Sequence, residues 1–324
     1  MTGARQLAAI VVIVSAVLMP AGARAEAPRP PEFLSFLHFS QGAAPSADAL
    51  ADLWIEPADL EQRNLLYGTG GAEAAPDPDA RYTFLSRDTT GFSHGYDVRD
   101  PQGRKWSVKL GPEAQTEVVV SRLIWAVGFH QPPTYYLPKW ILVEGKAVTT
   151  QAAARFRLEA PGVKKDGPWA WDANPFAGTP PLSGLYVLMV MVDNWDLKTS
   201  NNVIYQLKEE HDGAGRWYIV KDLGASLGAN RALIHGTRND LPGFEKEPFI
   251  TSAKNGRVEF NHFHGAWKNK NITAADVQWI SERLARLSPD QWRDVFRAAG
   301  YTESDGDRYI ARLRQKVADG LALR

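Results

Sequence analysis

The feature that most constrains the fold is an apolar run that leads directly into a polar loop. Residues 182–192 are almost wholly apolar, and a run of this length predicts a buried helix. The next ten residues, 193–202, are mostly Asp, Asn, Lys, Ser and Thr, and a strand-like segment follows at 203–205. Because a buried helix holds the start of such a loop in place, we expect these polar side chains to be presented at one fixed point.

Inside this loop, Asp196, Lys198 and Asn201 form the pattern D-L-K-x-x-N. A carboxylate can orient a hydroxyl group, a lysine can neutralise developing negative charge, and an amide oxygen can bind a hard cation. The alternative is structural, since Asp and Asn are also preferred residues in turns. Asn202 is a second candidate amide, although it breaks the five-residue spacing from Asp196.

A second carboxylate follows the predicted hairpin formed by residues 203–207 and 217–220. The second strand ends in Lys221-Asp222-Leu223-Gly224. An Asp at a strand end, followed by Gly, is a common way to hold a divalent cation beside a phosphate. The alternative reading is that Asp222 accepts hydrogen bonds from the loop amides before Gly224.

The first half of the chain predicts short strands at 82–86, 96–99 and 105–110. Gly91 and Gly95 lie between the first two, where a flexible hairpin would let backbone amides approach phosphates. Lys109 ends the third strand and shares a sheet face with Ser107. It is either a functional cation or a solvated edge charge.

A helix is predicted from about Pro112 to Val127, closed by Gly128. Glu113 and Glu117 lie four residues apart and therefore on one side of it. We expect Glu117 to point inward toward Lys109, and Glu113 to remain at a solvated helix N-terminus. Residues 135–143 and 147–157 predict two more strands, which gives a sheet of about five strands with one helix against it.

The rest of the chain has three predicted parts. Residues 159–181 are polar and rich in Pro, which is typical of a connection and surface loop, and residues 225–248 predict a long loop. Capping signals at Thr273 and Ser288 predict helices over 277–287 and up to Gly300, and a final helix is predicted over 304–321.

The order of these parts resembles that of the protein-kinase-like superfamily over about residues 82–228. The sequence is more similar to atypical members, the HipA-type, CotH-type and secretory-pathway kinases. Asn194-Trp195-Asp196 stands where ordinary kinases carry His-Arg-Asp, and Leu223 takes the place of Phe in D-F-G. Glu117 follows Lys109 by only eight residues, as in the short helix of those families.

This resemblance implies an α+β, bilobal protein-kinase-like fold, with an antiparallel N-lobe sheet and one helix, and a mainly helical C-lobe. It also implies ATP as nucleotide and Mg²⁺ or Mn²⁺ as cofactor. The roles that it implies are phosphate binding for Lys109, ion pairing with that lysine for Glu117, hydroxyl orientation or catalytic base for Asp196, transition-state charge stabilisation for Lys198, metal ligation for Asn201 and Asp222, and phosphate coverage for Gly91 and Gly95.

The N-terminus predicts export. Residues 1–25 read as a signal peptide, with Arg5, an apolar segment at 7–19 and Ala23-Arg24-Ala25 at the cleavage site. Residues 26–80 are interpreted as an arm and linker, 81–160 as the N-lobe and 161–324 as the C-lobe. We therefore expect a periplasmic or secreted protein without membrane attachment after cleavage, and the absence of cysteine excludes disulfides.

Charge and motifs narrow the functional classes. Removal of Arg5 and Arg24 leaves 35 basic and 37 acidic residues, a balance that gives no general attraction to nucleic acid. His262 and His264 alternate on one face, but zinc requires further ligands that the spacing does not identify, so a structural or surface role is simpler. No G-x-S-x-G, H-E-x-x-H or dinucleotide-binding fingerprint is present.

The resulting hypothesis is an exported, metal- and ATP-dependent phosphotransferase that acts on a hydroxyl group of a protein, glycan or small molecule, with nucleotidyl transfer left open. A catalytically inactive kinase-fold protein that binds a protein or glycan partner is the first alternative, suggested by 11 tryptophans and the scarcity of ATP outside the cytoplasm. The second is an unrelated hydrolase, which would place Lys109 and Asp222 far apart.

Overall fold

The computed structural model describes residues 45–89, 93–159, 162–229, 236–261 and 271–324. The predicted signal peptide, Gly91, His262 and His264 lie outside the described residues. The described chain is α+β, with a large sheet and one long helix in its first half and a mainly helical second half. This is the bilobal arrangement expected of the kinase-like fold.

The large sheet has seven strands in the order β4-β7-β3-β2-β1-β5-β6. Its neighbouring strands are antiparallel except β1 and β5, which run parallel. The prediction of about five strands was wrong, because each of the two long predicted strands divides in two; at the first division Pro138, which has no N–H to donate, follows β4. The strands are β1 (Arg81–Asp88), β2 (Gly95–Arg99), β3 (Lys105–Leu110), β4 (Thr134–Leu137), β5 (Trp140–Glu144), β6 (Ala147–Gln151) and β7 (Ala154–Leu158).

Alternation along β3 and β7 separates an apolar face from a charged one. Trp106, Val108 and Phe156 are buried in an aromatic-rich core on one side of the sheet. Successive side chains of a strand point to opposite faces, so the residues between them face the other way. That second face carries the charged side chains of Lys109 and Arg155, and α2 (Glu113–Ala126) supplies their carboxylate partner.

The second half is built on a buried helix, α3 (Pro180–Met191), as the apolar run predicted. Thr179 caps it, and α5 (Ala274–Ala285) packs against it and against α7 (Glu303–Leu321). Thr273 is an N-cap, as predicted, and forms a full capping box with Asp276; the capping box predicted at Ser288 is also present. No helix in the described ranges is long and apolar enough to cross a bilayer. The other helices are α1 (Ala47–Ala51), α4 (Leu241–Lys246), α5 (Ala274–Ala285), α6 (Pro289–Arg297) and α7 (Glu303–Leu321).

Two smaller sheets correct the sequence interpretation. The connection predicted over 159–181 contains β8 (Val163–Gly167), which pairs with β9 (Asn202–His211) beside β10 (Ala214–Val220). The region expected to be helical begins with a hairpin of β11 (Ile250–Lys254) and β12 (Arg257–Phe260). Strand β8 lacks an apolar repeat because it is a largely exposed edge strand, and its pairing with β9 is what orders it.

The segment interpreted as an arm and linker is part of the core from residue 45 onward. Leu53, Leu60 and Leu65 are fully buried in the same apolar cluster as α3. Trp54 packs edge-on against Trp279, with ring centroids 5.0 Å apart. The sequence did not show this packing because the segment has only short helices, and its apolar residues are buried by contacts distant along the chain.

Candidate functional site

The polar loop begins with a buried ion pair. Asp193 follows the end of α3 in a left-handed conformation, with φ of 52°. Nζ of Lys316, from α7, lies 2.7 Å from Oδ2 of Asp193 and also donates to the carbonyl of Met191 at 2.9 Å. Both charged side chains are buried, so α7 fixes the point at which the loop leaves the helix.

Within the loop, several hydrogen bonds hold Asp196 in place through both its backbone and its carboxylate. The amide N–H of Asp196 donates to Oδ1 of Asn194 at 3.1 Å. Nδ2 of Asn201 donates to the backbone carbonyl of Asp196 at 2.8 Å and to its Oδ2 at 3.1 Å, while Nζ of Lys198 lies 2.8 Å from Oδ2. Oδ1 of Asp196 makes no hydrogen bond to the described residues and remains able to accept one.

The hairpin of β9 and β10 brings the second carboxylate beside this loop. Asn202 pairs with Val220 in antiparallel register, and the N–H of Lys221 donates to the carbonyl of Asn201 at 2.8 Å. Asn201 and Asp222 therefore lie at the same end of the hairpin. Asp222 has φ of 55°, a left-handed conformation that Asp tolerates better than most side chains.

Lys109 connects the large sheet to this loop. Its Nζ lies 3.0 Å from Oε2 of Glu117 and 2.9 Å from Oδ1 of Asp222, with Oε2 of Glu113 at 3.6 Å. The loop after β10 packs closely against Glu113 of α2 because residue 224 is glycine: a Cβ at this position would lie 2.4 Å from Cβ of Glu113. The carbonyl of Gly224 also accepts a hydrogen bond from the Thr116 hydroxyl at 2.9 Å.

Two arginines that the sequence analysis missed share the carboxylate of Glu117. Nε of Arg155 lies 3.1 Å from Oε1 of Glu117, and Nη1 of Arg157 lies 3.5 Å from the same atom. With Lys109, three cations therefore surround one buried carboxylate. The available signal was their alternation in Arg155-Phe156-Arg157, which places both side chains on the face that Lys109 occupies on the neighbouring strand.

Ionisation in this network is governed by opposing effects. Burial alone would lower the pKa of Lys109, but the carboxylates of Glu117, Asp222 and Glu113 outweigh it and raise that pKa. Burial opposes ionisation of Glu117, yet the nearby cations, Arg155 first, hold its pKa below the ordinary value. The pKa of Asp222 falls to about 2 despite burial, because Lys109 stabilises the carboxylate. All three groups are charged at neutral pH.

Glu113 occupies the site, contrary to the expectation of a solvated position. It is 8% exposed, it accepts a hydrogen bond from the Ser93 hydroxyl at 2.8 Å, and it pairs with Arg238. The guanidinium of Arg238 lies 5.0 Å from the ring centroid of Trp195. The long loop after β10 therefore returns to the site, which its sequence did not indicate.

These groups line a cleft of about 430 Å³ between the large sheet and the polar loop. Gly95, Lys109, Asp196, Lys198 and Asp222 all contribute to its wall. Glu117 lies behind Lys109, and Asn201 lies behind Asp196. Six basic and four acidic side chains line the cleft, a balance that suits a polyanion. The contact of Lys109 with Asp222 contradicts the hydrolase alternative, which required them to lie apart.

The oxygen atoms beside this cleft fit a hard divalent cation. Nδ2 of Asn201 donates a hydrogen bond to Asp196, and Oδ1 of Asp222 accepts one from Lys109. Oδ1 of Asn201 and Oδ2 of Asp222 make no hydrogen bond to the described residues. Two such oxygens suffice for Mg²⁺ or Mn²⁺ only when phosphate and water supply the remaining ligands. The described residues contain no cluster of three or more His, Cys, Asp or Glu side chains that could hold a metal ion.

Comparison with known proteins gives a likeness to solved structures but none to known sequences. No protein-family model and no curated protein sequence matches. Among solved structures, the chain is similar to the Helicobacter pylori proinflammatory kinase CtkA, with a TM-score of 0.42 and 8% sequence identity over 75% of this chain and 97% of that one. At these values the likeness carries no argument about activity, which rests on the site geometry alone.

Proposed function

We propose that the protein is a kinase-like phosphotransferase that uses ATP with Mg²⁺ or Mn²⁺ and acts on a hydroxyl group. The observation that carries the proposal is the position of Lys109, whose Nζ contacts both Glu117 and Asp222 in a cleft that Asp196 and Lys198 also line. Phosphoryl transfer requires mainly positioning and positive charge near the transferred group, and this cleft supplies both.

Each side chain has a role that its contacts support. Glu117 and Asp222 hold Lys109 in the cleft, where its ammonium group would bind nucleotide phosphates. Asp196 would accept the hydrogen bond of the acceptor hydroxyl through Oδ1, since its Oδ2 is already held by Lys198 and Asn201. The side chain of Lys198 is 58% exposed, so its ammonium group would be able to leave Asp196 and bind the transferred phosphoryl group instead.

Asn201 and Asp222 would hold the divalent cation, which when bound would neutralise the phosphate charge. Gly95 lines the cleft and would cover the phosphates with its backbone, and the pairing of β2 with β3 requires glycine at this position because a Cβ there would lie 2.6 Å from the carbonyl of Val108. Export through the 1–25 signal and a periplasmic or secreted location belong to the proposal as well. The acceptor is a protein, glycan or small molecule.

The test compares two Asp→Asn variants for transfer of labelled phosphate from ATP to water and to the protein itself, with Mg²⁺ or Mn²⁺. Asp196→Asn keeps an oxygen that can accept the hydroxyl hydrogen bond but removes the carboxylate charge and its basicity, and it is expected to lower the rate about 10²–10⁴-fold. Asp212→Asn is the matched control, because Asp212 lies in the exposed β9–β10 turn and its side chain is 70% exposed. Equal rates for the two variants, or no transfer by the wild-type protein, contradict the catalytic proposal.

The alternative of an inactive, partner-binding protein loses one of its motivations. Ten of the eleven tryptophans lie in the described ranges, and none of those ten is exposed. Stacking on a glycan needs an accessible ring face, so most of these side chains serve packing instead. A thermal-shift measurement separates the two readings: ATP with Mn²⁺ is expected to raise the midpoint of the wild-type protein.

A further inference from the structure

The loop after β10 brings one guanidinium group, that of Arg238, into the wall of the cleft. Its Nη1 pairs with Oε1 of Glu113, the first residue of α2, and the two side chains are only 13% and 10% exposed. The proposed function assigns a role to neither residue. A nearly enclosed ion pair in the wall of a cleft changes the charge that a ligand meets there, so this pair needs an explanation.

The position of Arg238 is fixed by contacts on both sides of it. Its guanidinium carbon lies 5.0 Å from the ring centroid of Trp195, and Nε1 of Trp195 donates to the carbonyl of Thr237 at 3.1 Å. Nδ2 of Asn239 donates to Oε1 of Gln115, also on α2, at 3.1 Å. Residues 237–239 are therefore held by the polar loop and by α2, and the guanidinium is kept in one place.

The two oxygens of the Glu113 carboxylate have different partners. Oε1 accepts a hydrogen bond from Arg238, and Oε2 accepts one from the Ser93 hydroxyl at 2.8 Å. Oε2 also lies 3.6 Å from Nζ of Lys109, farther than the two carboxylates that contact Nζ at 3.0 and 2.9 Å. Glu113 thus holds the residue that leads into β2, and it lies beside Lys109 without being its main partner.

The charge of Glu113 would work against the cleft if it were not compensated. Opposite charges a few ångströms apart in a partly buried site attract strongly, so an unpaired Glu113 carboxylate would be drawn onto Lys109. Lys109 would then be occupied by a third carboxylate, and Ser93 would lose its hydrogen-bond acceptor. Because Arg238 binds Oε1, it opposes both changes.

We propose that Arg238 is a positioning residue, which neutralises Glu113 so that Lys109 stays available to a phosphate group and Ser93 stays bound to Glu113. Arg238 acts through Glu113 and touches no reacting group. The proposal rests on the proposed function for the identity of the ligand, a nucleotide phosphate. Its effect on Ser93 belongs to the ligand-free protein and can be tested without a nucleotide.

The experiment is a double-variant cycle of Arg238→Gln and Glu113→Gln in the full mature chain. Arg238→Gln is expected to raise the Kd of a non-hydrolysable ATP analogue with Mg²⁺, and the KM for ATP, about tenfold, with kcat changed less than about threefold. The double variant is expected to return to within about twofold of the wild-type Kd, because glutamine carries no charge and keeps an oxygen for Ser93. A merely structural role predicts a larger loss in the double variant, since a second contact is disturbed.

Two further variants separate charge from shape. Arg238→Lys keeps the positive charge and is expected to stay within about threefold of the wild-type Kd. Arg308→Gln is the matched control, because it breaks another Arg–Glu pair, with Glu245, whose side chains are 48% and 33% exposed and lie outside the cleft. It should change the Kd less than about twofold.

Hydrogen exchange of the ligand-free proteins gives the readout that needs no nucleotide. The backbone amides of residues 93–95 should exchange about fivefold faster or more in Arg238→Gln, and should return close to the wild-type rate in the double variant. Arg308→Gln should leave these rates unchanged. The unfolding midpoint of each variant shows whether the change is local.

The proposal is overturned if Arg238→Gln leaves the exchange of residues 93–95 unchanged, or if the double variant recovers neither exchange nor binding. If the exchange pattern is found but the wild-type protein does not bind the ATP analogue, the proposed function is wrong and the link from Arg238 through Glu113 to Ser93 stands. If the wild-type protein transfers phosphate and Arg238→Gln changes neither KM nor exchange, the proposed function stands and this inference is wrong.

Discussion

Two buried charge networks, one in each half of the molecule, differ in how far their cations are enclosed by the fold. In the sheet half, Glu117 meets Lys109, Arg155 and Arg157, and Lys109 remains 15% exposed toward the cleft. In the helical half, Asp193 meets Lys316, and their side chains are 1% and 0% exposed. The first network therefore leaves a cation accessible from the cleft, whereas the second is sealed from solvent.

Because of this difference, we expect the enclosed ion pair to contribute mainly to stability and the Lys109 network to contribute mainly to ligand binding. Removal of one partner of a sealed ion pair leaves an uncompensated buried charge, which is strongly destabilising. Removal of Lys109 leaves Glu117 still compensated by two arginines, so its loss should be felt mainly in ligand binding. The two networks therefore predict opposite balances between lost activity and lost stability.

The largest expected effect is that of Lys109→Met on transfer. If the proposed function is right, loss of the Lys109 ammonium group should lower the rate of transfer from ATP by about 10³-fold or more, because its charge would act on the transferred group in a partly desolvated cleft. The rate is measured with labelled ATP and Mn²⁺, and stability by urea unfolding. A Lys109→Met protein that retains transfer, or that is destabilised as much as Lys316→Met, would contradict the comparison.

The next effect is that of Lys316→Met on stability. Asp193 would be left buried without this ammonium group, and the free energy of unfolding should fall by about 3–5 kcal/mol. The double variant Lys316→Met with Asp193→Asn should recover part of this loss, since Asn carries no charge and tolerates the left-handed backbone of residue 193. The free energy of unfolding of both variants is measured in urea. If the double variant is no more stable than Lys316→Met, the unpaired charge of Asp193 is not the cause of the lost stability.

The last predictions concern the dependence of stability on pH, for which the two networks have opposite signs. Burial raises the pKa of Asp193 to about 7, with Lys316 opposing. The folded protein then binds a proton that the unfolded chain has released between about pH 4 and 7, so stability falls as the pH rises through that window. The pKa of Asp222 is lowered to about 2, so its stabilisation is present above about pH 4 and is lost as the pH falls toward 2.

The check is the urea midpoint of three Asp→Asn variants as a function of pH. Asp193→Asn should remove the decline between about pH 4 and 7, and Asp222→Asn should reduce the loss at lower pH. Asp212→Asn, in the exposed turn, should leave both unchanged. Identical profiles for Asp193→Asn and the control would contradict the raised pKa.

Features with a local cause were predictable from the sequence. The helix α3, the N-caps at Thr273 and Ser288 and the β9–β10 hairpin follow from periodicity and turn residues. The α+β fold class was implied by the family resemblance that the order of these elements carries, and the structure confirms it. Their order also placed Lys109, Asp196 and Asp222 in plausible positions, and the structure brings all three to one cleft. Their chemical roles remain predictions.

Features that depend on contacts between residues far apart in the sequence were not predictable. Strand β8 is polar and becomes a strand only because β9 offers a hydrogen-bonding edge. Glu113 looked like a solvated helix start, yet Arg238, 125 residues later, folds back to pair with it. The burial of Leu53, Leu60 and Leu65 likewise depends on surfaces that α3 and its neighbours provide.

The sequence by itself determined the buried helix, the polar loop after it and the spacing of Asp196 and Asn201, because each is set by residues a few positions apart. Only the tertiary structure decided which charges meet. It assigned three cations to Glu117 and sealed Lys316 against Asp193. The physical reason is that an ion pair forms between whichever side chains the packing of sheets and helices brings within a few ångströms, and separation along the chain carries no information about that distance.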